Sequence, residues 1–191
     1  MENLPPVYRI RAKAPNSRKN FGSVSSRKRG ESNFLRAFER AYFAQVGGGI
    51  VANEFAQPQL GVADLVWIDW SQGDHDEEFT AVSLEKILKR RTLISFEAKL
   101  KNWQQALQQA YRYRYFSDKA IVVMPFENAN PALKHIEVFD ELKVGLWTFE
   151  KSSNRIRKHY TPTRVRALSK DARQKAIAKI STQINLSKLS E

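Results

Sequence analysis

The sequence predicts an α/β fold with a central mixed β-sheet flanked by helices, and three observations carry that expectation. Strand-type and helix-type hydrophobic periods alternate between residues 32 and 149. The run Ala120-Ile121-Val122-Val123-Met124 is apolar throughout, as in a strand covered on both faces. In Leu93-Ile94-Ser95-Phe96-Glu97-Ala98-Lys99-Leu100, strand alternation sends Ile94, Phe96, Ala98 and Leu100 to one wholly apolar face, and Glu97 and Lys99 to the other.

In chain order, Phe34, Leu35, Phe38, Ala41, Tyr42 and Val46 recur at helical spacing, which predicts a helix over Ser32–Gln45, ended by Gly47-Gly48-Gly49. Ile50–Phe55 and Val62–Trp70 follow as strands, and Pro58–Gly61 joins them as a hairpin. Residues 71–91 interrupt the pattern with an acidic loop, Gly73-Asp74-His75-Asp76-Glu77-Glu78, and a short helix capped by Ser83. The Leu93–Leu100 strand comes next. A helix over Asn102–Phe116 presents Trp103, Ala106, Leu107, Ala110 and Arg114 on one face, with Tyr113 at its edge. Lys119–Pro125 is a strand, Pro131–Lys143 a helix and Val144–Phe149 a final strand. Beyond these, Ser169–Ile184 carries an apolar stripe of Ala172, Ala176, Ile177 and Ile180 and is expected to be helical.

Charge divides the 191 residues into three parts. Residues 1–30 hold eight Lys/Arg against one acid, residues 31–150 hold 13 against 17, and residues 151–191 hold 11 against two, within a total of +12. This suggests a basic flexible arm at 1–30, an α/β domain at 31–150 and a basic extension with a helix at 151–191. An acidic body with basic arms suits a cation-binding site served by arms that hold a polyanion, which makes nucleic acid the expected partner. Arg27, Lys28 and Arg29 in the first arm and Arg155, Arg157 and Lys158 in the second are the candidate phosphate contacts. The absence of cysteine excludes disulfides, cysteine-ligated zinc and thiol catalysis. No signal-like segment or membrane-length apolar run is present in the sequence, so a cytoplasmic location and no membrane partner are expected.

The chemistry is expected where carboxylates meet a lysine. Alternation places Asp64 on the face of its strand that carries Val62 and Val66. A carboxylate there needs a partner or an ion. Asp64 and Glu97, from neighbouring strands, offer hard oxygen ligands of the kind Mg²⁺ (or Mn²⁺) prefers, and the Ala98 carbonyl could add a third. Lys99 could then orient or deprotonate an attacking water and stabilise developing phosphorane charge.

Asp64, then Glu97-x-Lys99, then a helix and a buried strand, resembles the PD-(D/E)xK nuclease superfamily, whose restriction-endonuclease-like core runs α-β-β-β-α-β. The resemblance covers residues 31–149. It implies a catalytic glutamine on the helix after the motif strand, for which Gln109 in Trp103-Gln104-Gln105-Ala106-Leu107-Gln108-Gln109 fits best. It also implies a metal-binding glutamate on the first helix, for which Glu39 is the candidate, with Glu54 on the strand before Asp64 as another possible member of the metal site. Two departures stand out: Ala63 replaces the proline before the aspartate, and residues 71–91 are inserted between Asp64 and Glu97.

The expectation is therefore a Mg²⁺-dependent DNA endonuclease, with Asp64, Glu97, Lys99 and Gln109 as its catalytic residues. A DNA-binding or assembly protein that retains the fold without cutting is the alternative, and a homodimer or larger nucleoprotein assembly is left open. A second Glu-x-Lys at Glu141-Leu142-Lys143 is expected to be a solvated helix end. The Tyr111–Tyr115 alternation of aromatic and basic groups is expected to be packing and solvation, and the acidic loop a solvated loop.

Overall fold

A computed structural model of the protein describes residues 7–11, 26–69, 81–163 and 166–184. In order, its elements are β1 (Val7–Arg11), α1 (Ser26–Val46), β2 (Gly49–Gln57), β3 (Gly61–Asp69), α2 (Ala81–Arg90), β4 (Leu93–Ala98), α3 (Trp103–Tyr113), β5 (Lys119–Pro125), α4 (Asn130–Leu133), α5 (Ile136–Glu141), β6 (Gly145–Glu150), β7 (Arg155–Tyr160) and α6 (Lys170–Ser181). Among the described residues, seven strands make one mixed sheet, lying side by side in chain order. β2, β3 and β4 form an antiparallel meander, while β4, β5 and β6 run parallel. β1 adds in parallel at one edge and β7 antiparallel at the other. The α/β class with a helix-flanked mixed sheet is as the periodicity predicts.

Alternation along the strands assigns the layers. Leu65 and Trp67 of β3 face α1, where they join Phe38, Tyr42, Phe96 and Trp147. Rings meet edge-on there, with centroids 5.4 Å apart for Phe38–Phe96 and 5.6 Å for Tyr42–Trp67. Such pairs add about 0.5–1.5 kcal/mol each beyond the area they bury. Val66 and Ile68 face the opposite way, toward Leu84 and Leu88 of α2, Leu107 and Ala110 of α3, and Ile177 and Ile180 of α6. A one-residue slip of β3 would exchange these two sets, so the two unlike layers fix its register. The turn between β2 and β3 is closed by the Leu60 N–H donating to Gln57 O at 3.1 Å. Gly61 leaves that turn at φ +103°, a conformation that side chains with a Cβ rarely adopt.

The folded body is larger than the periodicity predicts. Within the expected 1–30 arm, Val7–Arg11 is a sheet strand, and α1 begins at Ser26 rather than Ser32. Gly30 lets the early turns of α1 approach the sheet, since a Cβ there would stand 3.2 Å from Leu100 Cδ1. After residue 150, β7 closes the sheet with no fully buried residue. Solvent on an edge strand accepts charged side chains, and this hid the strand from an apolar-periodicity reading. α6 is capped by the Ser169 hydroxyl, which accepts from the Ala172 N–H. It is fastened by Arg173, which pairs with Asp118 at 3.0 Å and donates to Arg91 O at 2.9 Å. Asp118 also accepts from the Leu93 N–H at the start of β4.

The helix expected over Pro131–Lys143 is two short ones, α4 and α5, separated where His135 turns to stack on Trp103 at 5.2 Å. The 71–91 insertion yields α2, whose Leu84 and Leu88 are fully buried. Its acidic part, Gly73–Glu78, lies outside the described residues.

Candidate active site

β3 and β4 are antiparallel neighbours with Leu65 opposite Phe96, so the next positions along the ladder, Asp64 and Glu97, also face each other. Both turn away from α1, as strand alternation requires. Asp64 Oδ2 accepts from the Ala98 N–H at 2.8 Å, which fixes the carboxylate beside the end of β4. β4 ends at Ala98 rather than Leu100. Lys99 is therefore the first residue beyond it, still held by its N–H donating to Val123 O at 3.1 Å. The Lys99 ammonium lies 3.3 Å from Glu97 Oε1, with 16% of its side chain exposed. The three residues singled out in the sequence thus converge.

Two further residues join them that the sequence reading did not select. Tyr113 of α3 is fully buried, not at the helix edge, and its hydroxyl stands 2.8 Å from Glu97 Oε2 and 2.6 Å from Val62 O. It ties the helix to both strands that carry the carboxylates. Its place beside Ala106 and Ala110 on the buried face was a usable signal. Glu31, near the start of α1, brings Oε2 to 3.9 Å from Lys99 Nζ. Its signal was hidden because the helix was expected to begin one residue after it.

The electrostatics follow from crowding carboxylates out of water. Burial, followed by the charge of Asp64, pushes the Glu97 carboxyl up to about 7, against the Tyr113 hydroxyl and Lys99, which pull it down. Asp64 is raised too, first by burial and further by the charges of Glu31 and Glu54, with the Ala98 N–H and Lys99 opposing. Tyr113 is raised by burial and by Glu97, so its hydroxyl keeps its proton.

The remaining candidates separate. Glu54 stands opposite Asp64, since Asn53 pairs with Leu65 and Phe55 with Ala63. It is exposed and holds a left-handed φ of 51°, which costs a non-glycine residue roughly 1–2 kcal/mol. Gln109 lies one turn before Tyr113 on α3, and its buried Oε1 has no hydrogen-bond partner among the described residues. Glu39 does not join this site. It is buried at 4% exposure beneath Arg9 of β1, 2.5 Å from that guanidinium, and accepts from Asn53 Nδ2 at 3.2 Å. Helix geometry explains the correction: Glu39 sits about two turns beyond Glu31, on the stretch of α1 that reaches β1 and β2.

Arg27, Lys28 and Arg29 fall in the first turn of α1, and their side chains lie outside the described residues. Arg155, Arg157 and Lys158 are exposed on β7. Lys158 shares a row with Ala98 through Val123 and Trp147, which puts their strands about 14 Å apart. Arg157 lies 4.3 Å from the Phe126 ring centroid, and Lys158 Nζ lies 4.7 Å from that of Trp147. These contacts hold both cations against the sheet edge.

Among the described residues, no group of three or more His, Asp or Glu side chains is gathered to hold an ion. No helix among them is long and apolar enough to cross a membrane. Comparison of the chain with family models, with curated proteins and with solved structures returned no match.

Proposed function

We propose that the protein is a metal-dependent DNA endonuclease of the PD-(D/E)xK type. The observation that carries this reading is the convergence of Asp64, Glu97 and Lys99 where the ladder between two antiparallel strands ends. The connectivity supports it: α1, then the β2–β3–β4 meander, then α3 and a β5 parallel to β4, is the α-β-β-β-α-β order of the restriction-endonuclease-like core, with α2 inserted.

The donor chemistry fits Mg²⁺ or Mn²⁺. Asp64 and Glu97 are oxygen donors raised first by burial, and further by the charge of Asp64 at Glu97 and by Glu31 and Glu54 at Asp64, and a divalent cation would relieve that cost. When bound, the ion would polarise a phosphodiester oxygen and acidify water. The protein's residues supply the rest. Ala98 holds Asp64 through its N–H, and Tyr113 braces Glu97. Lys99 places a positive charge where a water and the developing oxyanion would lie. Gln109 offers a free carboxamide oxygen that can orient water. Arg155, Arg157 and Lys158 would hold phosphates at the far edge of the sheet, with Arg27, Lys28 and Arg29 as further contacts.

A DNA-binding module that does not cut is the competing reading. It is favoured by one observation: both Glu97 oxygens already have partners, in Lys99 and Tyr113. Plasmid nicking in Mg²⁺ or Mn²⁺ by the wild type, lost in Lys99→Ala with DNA binding retained, supports the enzyme. Unchanged nicking by Lys99→Ala removes the mechanism. Failure of the wild type to bind either cation in a titration favours the inert module.

A further inference from the structure

A second charged feature lies along the outer side of α1. A surface groove of about 540 Å³ is lined by Arg9, Asn33, Arg36, Glu39, Arg40 and Lys151. Its single acid is already neutralised: buried Glu39 pairs with Arg9, which also donates to Asn53. Arg36 and Arg40 are exposed, as is Lys151, and none of the three has an ion-pair partner among the described residues. The groove therefore presents three unmatched cations around one satisfied pair. Arg36 and Arg40 are four residues apart, so they stack on one helix face about 6 Å from each other. Lys151 closes the groove from the turn that leads into β7, and Asn154 of the same turn lines an adjoining hollow with Arg40 and Gln45.

This groove is separate from the carboxylate site. Arg40 lies nine residues beyond Glu31, about 13 Å along the helix and about half a turn around it. Glu31 reaches Lys99, so Arg40 faces away from it. Among the described residues, no ion pair draws these three cations into holding the fold together. Such an arrangement suits a polyanion whose charges repeat along a line, and releasing counterions from that polyanion would drive binding.

We propose that the groove formed by Arg36, Arg40 and Lys151 takes the sugar-phosphate backbone of DNA, as a contact surface distinct from the β7 edge and from the cutting site. The inference rests on DNA as the partner and does not require cleavage. The charge repeats along the helix with no aromatic platform among the lining residues, so the contact is to backbone and reads no sequence.

Binding of a labelled duplex to the full chain, measured by fluorescence anisotropy in EDTA across a salt series, tests it. The variant Arg36→Gln/Arg40→Gln is expected to lose at least about tenfold in affinity, and the slope of log K against log salt is expected to fall by about two. Lys151→Gln should lower the slope by about one. Arg112→Gln/Lys134→Gln removes two exposed cations from the opposite layer and is expected to leave the slope unchanged. Glutamine keeps good helix propensity at Arg36 and Arg40, and matched melting curves confirm that the fold is intact. Equal slopes for the wild type and the Arg36/Arg40 pair overturn the groove while leaving the nuclease reading standing. Equal losses in the groove and control pairs also overturn it. A wild type that fails to bind duplex DNA overturns both. A wild type that binds an acidic protein surface in place of DNA would overturn the groove as a backbone site.

Discussion

The chain contains Glu-x-Lys twice, and the two copies differ in everything except their letters. Glu97 is 1% exposed, its carboxyl is pushed up to about 7, and it stands between Lys99, Tyr113 and Asp64. Glu141 is exposed at the end of α5. Its companion Lys143 turns to Asp140 instead, 2.8 Å away, from a left-handed φ of 53°. Lys143 also holds the exposed Asp140 carboxyl below its ordinary value. The same spacing gives a desolvated carboxylate in one place and a screened surface pair in the other. Burial, not spacing, sets the two carboxylates apart.

Substitutions at the two copies should separate them, most widely in activity. Under the nuclease reading, Lys99→Ala should lower cleavage by about 10²–10³-fold or more, while Lys143→Ala leaves it unchanged, as followed by plasmid nicking. Equal effects from the two lysines would end the comparison. Asp64→Asn should also abolish cleavage yet fold well, because the amide oxygen can still accept from Ala98. Asp64→Ala should cost about 1–3 kcal/mol in urea melts by orphaning that N–H. A stable Asp64→Ala would show that the hydrogen bond does not hold the strand end.

The two copies should also answer pH in opposite directions. Glu97 has a folded-state value above its ordinary 4.5, so its contribution to stability is complete below about pH 4.5 and is lost as pH rises through about 7. Asp140 is depressed, so its contribution is lost as pH falls through its folded value, below 3.8. Relative to wild type, Glu97→Gln should therefore gain stability between pH 5 and pH 8, on the order of 1–2 kcal/mol. A pH-independent difference would falsify the raised carboxyl. Tyr113→Phe should cost about 1 kcal/mol through two lost contacts. Smallest of all, Glu141→Ala should change stability by less than about 0.5 kcal/mol, and a larger loss in thermal melts would mean that the helix end is not simply solvated.

Much of this was legible in the residues, because hydrophobic period and side-chain alternation are local. Those two rules placed β2 to β6, α3 and α6 to within a few residues, found α1 with its start six residues late, and gave β4 one apolar side. They also gave Asp64 and Glu97 each a face on its own strand, and the β3–β4 register made that face a common one. They failed where local pattern was silent. The strand β7 is basic and exposed, and β1 is short. Tyr113 looked peripheral within an aromatic–basic alternation until α3 was laid on the sheet. Glu39 and Glu31 are both glutamates of one helix, and no periodicity says which end of that helix meets Lys99.

The sequence by itself determined the class of the fold, the apolar back of β4, and a short list of acidic groups with one lysine beside them. Only the tertiary structure decided which of those groups share a site. It placed Glu31 rather than Glu39 near Lys99, set Tyr113 against Glu97, and gathered Arg36, Arg40 and Lys151 around one groove. The physical reason is one of range. Alternation and helical period act over a few residues, whereas desolvation and charge repulsion depend on which distant segments pack together.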